Sequence, residues 1–172
     1  MNFGYSDDQL AWRETVRAVL RRHAPVSAAR ELAEQGTGWS ADTWRRLDGI
    51  GAHGIHVREE RGGQGFGVEE LAIVAEEAGA VLLRAPYSTN AVAASMLAAA
   101  GRAVTDMPVT AAILAGAEPD GPTLRVHDGR VDGQATAVPF GAHVAAYLLA
   151  VGSADDAVIA LVDADASGGH RR

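Results

Sequence analysis

The chain has 172 residues, 48% of them hydrophobic but only 5% aromatic, and a formal net charge of −7. All 15 cationic side chains are Arg, and the absence of Cys excludes disulfides, thiolate nucleophiles and Cys-ligated zinc. An acidic chain without a basic stripe is a poor polyanion binder, which argues against nucleic acid, although a few local Arg can still meet a small anion.

The segment Ser6-Asp7-Asp8-Gln9 reads as a helix start. Ser6 can cap, Gln9 stands at the capping-box position, and two carboxylates sit at the positive end of the helix dipole. Leu10, Val16, Val19 and Leu20 follow near helical spacing, with Trp12 alongside; Arg21, Arg22 and His23 crowd the far end, and Pro25 stops the helix. A short second helix is expected over 27–34. Ser40 caps a third, whose apolar face is Trp44, Leu47 and Ile50. The spacing then predicts a fourth over 68–80, with Leu71, Val74, Ala75 and Ala78 inward and Glu69, Glu70, Glu76 and Glu77 mostly solvated. A fifth, Ala-rich helix is expected from about Ser88 to Ala100, after Pro86.

The period changes after Gly101. Short apolar or alternating runs at 110–115, 123–126, 135–138, 146–151 and 157–162 read as strands separated by Pro, Asp-Gly and Gly-Ser turns. His127-Asp128-Gly129-Arg130 is a hairpin signal. The expected architecture is α+β: an all-α N-terminal domain over 1–103, a linker over 104–109, a partial antiparallel sheet or barrel over 110–166, and a tail over 167–172. No apolar run approaches the about 20 residues that span a bilayer. Met1 to Asp8 lacks the charged and apolar regions of a signal peptide. A soluble, cytoplasmic protein without membrane contact is expected.

Several residues invite a chemical reading. Gly62-Gly63-Gln64-Gly65-Phe66-Gly67 lacks the strand, helix and spacing of a dinucleotide fingerprint and the Lys of a phosphate loop, so a structural turn is favoured. His53 and His56 have no third ligand at useful spacing, so surface or satisfied histidines are favoured over a metal site. The adjacent pairs Glu59-Glu60 and Glu76-Glu77 cannot face one another on a helix, which favours a solvated face or a subunit contact over acid–base chemistry. The Arg residues from Arg13 to Arg22 suit dipole compensation and ion pairing more than anion capture.

Taken in order, the motifs resemble the flavin-dependent acyl-CoA dehydrogenase family. Trp44-Arg45-Arg46-Leu47-Asp48-Gly49-Ile50-Gly51-Ala52-His53-Gly54 is similar to its "W..L...G..G" segment, and Val57-Arg58-Glu59-Glu60-Arg61-Gly62-Gly63-Gln64-Gly65 to its "VPEEYGGQG" stretch. Glu76-Glu77-Ala78-Gly79 with Ala85-Pro86-Tyr87 resembles the helix pair that leads to the acyl pocket. These segments lie within residues 3–100.

The β-half departs further from the pattern. Gly116 to Gly121 resembles a shortened "TEP..GSD" loop, with Ala117 where the family has Thr. Asp132 to Gly141 resembles "G.K..ITNG", with Pro139 for Thr and Phe140 for Asn. The resemblance implies FAD as cofactor and α,β-desaturation of an acyl-CoA thioester, in which a carboxylate takes the α-proton and the β-hydride passes to the flavin. It assigns Glu118, Pro119, Val138 and Pro139 to the flavin side. It assigns Tyr87, Ser88 and Thr89 to the acyl side, where a helix N-cap with a packed tyrosine is the competing reading. For Glu118 and Pro119 the competing reading is a plain hairpin loop.

In the family the catalytic base comes from a C-terminal helical bundle, to which no segment here corresponds, so the resemblance assigns no catalytic residue. Two functions follow as expectations. One is a dehydrogenase chain whose site is incomplete alone and is completed in a homo- or hetero-oligomer by a chain supplying the bundle. The other is a non-catalytic binding or assembly module derived from the same fold.

Overall fold

The computed structural model describes residues 4–36, 38–104, 108–112, 124–151 and 158–166. The chain divides into two compact units, Met1–Asp106 and Met107–Arg172.

The first unit is helical: α1 (Asp7–His23), α2 (Val26–Glu34), α3 (Ala41–Asp48), α4 (Val68–Ala80) and α5 (Tyr87–Ala99), with short 3-10 turns at Ala52–Gly54 and Glu59–Arg61. The capping box at α1 is formed: the Gln9 amide donates to Ser6 Oγ (3.2 Å) and the Ser6 amide to Gln9 Oε1 (3.0 Å). Ser40 accepts from the Thr43 amide at the start of α3. At α4 the cap is reversed, with Glu70 Oε2 accepting from the Gly67 amide. The core is assembled from Val16 and Leu20 of α1, Leu47 of α3 and Val74 and Ala78 of α4, closed by Ala52 and Tyr87. Each large apolar side chain buried here contributes about 1.5–3 kcal/mol.

Two helix ends show why backbone geometry matters. α5 closes in a Schellman motif, with Gly101 at φ 76°, its amide on the Ala98 carbonyl and the Arg102 amide on the Leu97 carbonyl. α4 closes with the same pair of bonds, Leu82 to Gly79 and Leu83 to Ala78, but the left-handed residue is Leu82 at φ 53°.

Between α3 and α4 the backbone folds on itself. The amides of Gln64, Gly65 and Phe66 donate to the carbonyls of Gly54, Val57 and Ile55 at 3.1, 2.8 and 3.0 Å. A Cβ on Gly63 would fall 1.9 Å from the Val57 carbonyl oxygen, so this crossing admits only Gly.

The face of α4 differs from the sequence expectation. Ile73, Val74, Glu77 and Ala78 are its buried residues, Leu71 is half-buried and Ala75 is exposed. The stripe is turned because Glu77 is held from α1 by Arg13 and Arg17.

The second unit is β-structured: β1 (Val109–Ala112), β2 (Arg125–His127), β3 (Arg130–Asp132), β4 (Ala146–Val151) and β5 (Val158–Asp163). One sheet has the order β1-β4-β5 and the other is the β2-β3 hairpin. The hairpin turns at Asp128 (φ 48°) and Gly129 (φ 72°), the two positive φ values of a type I′ turn. Leu124, Leu149 and Val151 form a small core, with Val131, Val138, Tyr147 and Val162 packed against it.

The architecture is α+β with a partial sheet, and no barrel closes among the described residues. Two details depart from an all-antiparallel reading. β1 runs parallel to β4, with Val109 opposite Ala146, whereas β4 and β5 are antiparallel. The segment joining β1 to β4 is long enough for a crossover, and apolar alternation does not fix strand direction. The run 135–138 forms no strand. Ala137 (φ 53°) and Phe140 (φ 55°) take left-handed conformations, and the Gly141 amide turns back to the Val138 carbonyl at 3.1 Å.

No helix among the described residues is long and apolar enough to cross a membrane.

Candidate functional site

The start of α5 carries the three residues assigned to the acyl side. Pro86 precedes them and is fully buried. Tyr87 is only 4% exposed, and its hydroxyl donates to the Ala52 carbonyl at 3.1 Å. Burial pushes the phenol pKa well up, so it stays protonated, with its oxygen still able to accept. Thr89 Oγ1 donates to the Pro86 carbonyl at 3.2 Å, and Ser88 is exposed. Of the three, Ser88 presents its side chain to solvent, Tyr87 ties the helix start to the turn at Ala52–Gly54, and Thr89 caps its own first turn through Pro86.

That turn holds His53, 2% exposed and stacked on Trp44 with centroids 3.7 Å apart. Burial lowers its pKa to about 4, so the ring is neutral at physiological pH. Nδ1 lies 3.4 Å from Asp48 Oδ1, and neither ring nitrogen makes a hydrogen bond among the described residues. His53 is therefore a core aromatic, in place of the surface or hydrogen-bonded histidine expected from sequence. His56 Nε2 lies 2.7 Å from Ser95 Oγ, which joins the same segment to α5; burial lowers this pKa as well. No group of three or more His, Asp or Glu among the described residues is placed to hold a metal ion.

Glu76 and Glu77 separate in role. Glu77 is 5% exposed and accepts from Arg13 Nε (2.7 Å), Arg17 Nε (2.9 Å) and Arg17 Nη2 (2.7 Å). Hydrogen bonds from Arg17, then Arg13, lower its pKa to about 2. A carboxylate so stabilised is a poor proton acceptor, and its role is to clamp α1 to α4. Glu76 is more open and takes Arg13 Nη2 at 2.6 Å. The sequence reading gave both as mostly solvated, on a solvated face or at a subunit contact; the partners that bury Glu77 lie about 60 positions away and carry no local signal.

Sequence also gives no sign of a cleft of about 130 Å³ between α2 and the end of α4. His23, Leu32, Thr43, Leu82 and Arg84 are among its walls.

On the flavin side, Glu118 and Pro119 lie outside the described residues. Val138 and Pro139 lie on the turn that follows β3. Pro139 has neither an N–H nor a hydroxyl to offer. The Val138 carbonyl already accepts from Gly141, and its side chain packs on the small core of this unit. Pro139 therefore does not fit a flavin contact through a donor.

A family model described as "Acyl-CoA dehydrogenase, N-terminal domain" matches residues 6–106. Acyl-CoA dehydrogenase IpdE2 of Mycolicibacterium smegmatis is 34% identical over 98 residues, which cover 56% of this chain and 32% of that protein. Acyl-CoA dehydrogenase FadE34 of Mycobacterium tuberculosis is 36% identical over 96 residues, 51% of this chain and 14% of that one.

Among solved structures, the ChsE4-ChsE5 complex from Mycobacterium tuberculosis superposes with a TM-score of 0.81 at 23% identity, covering 98% of this chain and 50% of that one. A variant of the Tcur3481-Tcur3483 steroid ACAD gives 0.80 at 26% identity, covering 94% of this chain and 49% of that one. The chain thus spans a third or less of these two curated relatives and about half of the solved chains. With the helical unit matched almost end to end by the family model, the chain belongs to the acyl-CoA dehydrogenase family.

Proposed function

We propose that this chain supplies the acyl-side helical wall of an FAD-dependent enzyme that desaturates an acyl-CoA thioester between its α and β carbons. The observation that carries the reading is the family match over 6–106, which includes the start of α5. In this reading Tyr87, held by Ala52, and Thr89, held by Pro86, position the first turn of α5, and Ser88 faces the ligand. The catalytic carboxylate and most flavin contacts come from elsewhere: further sequence, or a partner chain in a hetero-oligomer. The heteromeric neighbours, a ChsE4-ChsE5 complex and a Tcur3481-Tcur3483 pair, support the partner version. A cytoplasmic location belongs to the same proposal.

The second reading, a non-catalytic assembly module of the same lineage, is favoured by one observation. Pro139 stands where the family pattern has Thr and brings neither a hydroxyl nor an N–H to that turn.

The test is visible absorption after incubation with FAD and desalting, first of this chain alone and then of its complex with a chain bearing the family's C-terminal bundle. The proposal expects a colourless chain, and flavin bands with acyl-CoA-dependent bleaching in the complex. A complex that assembles but stays colourless gives the module reading.

A further inference from the structure

The cleft of about 130 Å³ lies within the helical unit, bounded by α2, the start of α3 and the turn after α4. Its volume is close to the roughly 150 Å³ that holds one benzene-sized molecule in a protein interior. Ala24 and Val81 are buried in its wall, and Ala28 and Leu32 of α2 are half-buried there, which gives it an apolar lining. Two of its polar residues are engaged within the chain. The Thr43 hydroxyl donates to the His23 carbonyl at 3.2 Å, and Ser40 Oγ accepts from the Thr43 amide at 3.2 Å.

Arg84 differs from these. Its Nε donates to the Gly38 carbonyl at 3.0 Å, which fixes the guanidinium in the cleft wall. Its Nη1 and Nη2 make no hydrogen bond or ion pair among the described residues. Glu31 also lines the cleft, exposed on α2, and forms no ion pair with Arg84. Leu82 lines it too, in a left-handed conformation at φ 53° and 63% exposed. Backbone strain of this kind concentrates at ligand clamps and binding sites.

We infer that this cleft binds a small monocarboxylate with a compact apolar body of about six carbon atoms. The carboxylate takes the Nη edge of Arg84, which matches it with two parallel hydrogen bonds. The hydrocarbon lies on Ala28, Leu32 and Val81 and removes apolar surface of Leu82 from water. Glu31 disfavours a second negative charge, which makes a dicarboxylate or a phosphate ester the poorer ligand. None of Tyr87, Ser88 and Thr89 lines the cleft, so this binding is independent of the desaturation reading.

Benzoate is the probe. Titrated into the full chain labelled with nitrogen-15, it is expected to give saturable amide shifts centred on residues 28–35, 40–43 and 81–84, with a dissociation constant below about 1 mM. Benzyl alcohol, of similar size and uncharged, should bind at least about tenfold more weakly. Arg84→Gln should weaken benzoate by the same factor, and its amide can still donate to the Gly38 carbonyl and keep the wall in place. Ala28→Leu puts a larger side chain into the cleft and should abolish saturation. Far-UV circular dichroism of each variant checks that the helical unit is intact. The inference is overturned by shifts that do not saturate by about 10 mM, by benzyl alcohol binding as tightly as benzoate, or by benzoate binding that survives either substitution unchanged. Binding to the free chain that disappears in its complex with a chain bearing the family's C-terminal bundle overturns it as well, because the cleft is then a contact between chains.

Discussion

At the scale of single residues, the two arginines on Glu77 make the sharpest claim about stability. Glu77→Gln keeps the shape and loses the charge, leaving Arg13 and Arg17 against a neutral amide while their ion pairs to Glu76 and Glu14 remain. It should lower the midpoint of urea unfolding of the helical unit, because charge-assisted hydrogen bonds are replaced by weaker neutral ones. The pH dependence has a definite sign. The folded-state pKa of Glu77 lies near 2, below its ordinary value of 4.5, so its stabilisation is complete above that ordinary value and fades as pH falls towards 2. The gap in melting temperature between wild type and Glu77→Gln should be widest near neutrality and shrink through that window. An unchanged gap at low pH would assign the effect to packing. The sequence marked the arginines of α1 for ion pairing but not Glu77 as their shared partner. Glu76-Glu77 reads as a solvated acidic pair until α1 and α4 are placed side by side.

At the scale of elements, the sequence carried most of the helices and fewer of the strands. The fourth helix was bounded correctly at 68–80 and the fifth to within a residue, because caps, prolines and glycines mark helix ends locally. The hairpin at Asp128-Gly129 was legible for the same reason. The parallel pairing of β1 with β4 and the loss of a strand at 135–138 were not, since both depend on where distant segments meet.

The closing of α4 gives a test at this scale. Leu82 occupies the left-handed position that Gly101 fills in α5, and it is exposed. A side chain in that conformation costs about 1 kcal/mol or more relative to Gly. Leu82→Gly should therefore raise the midpoint of thermal unfolding, by up to about 1 kcal/mol in free energy. A loss of stability would mean that the Leu82 side chain packs more usefully than its exposure suggests.

At the scale of the whole molecule, the units differ in what holds them. The helical unit has its own core of Val16, Leu20, Leu47 and Val74, whereas among the described residues the sheet unit has a smaller cluster built on Leu124, Leu149 and Val151. Residues 1–106 expressed alone are expected to keep a helical spectrum and a single cooperative melt. A broad, non-cooperative melt would show that this core needs the rest of the chain. The candidate site was legible in part. The motif order pointed to the family and to the start of α5. That Tyr87 spends its hydroxyl on Ala52, and that Val138 spends its carbonyl on Gly141, needed the folded backbone.

The crossed backbone between α3 and α4 has a kinetic consequence. The amides of Gln64, Gly65 and Phe66 lie in a glycine-rich segment outside any regular helix or strand, yet each donates to a carbonyl on the opposite side of the loop. Each must release that hydrogen bond before it can exchange with solvent deuterium. Hydrogen exchange there should be as slow as in the middle of α4, and Gly63→Ala should speed it by orders of magnitude. A segment that resembles a flexible linker in composition would then be among the last parts of the helical unit to let water in.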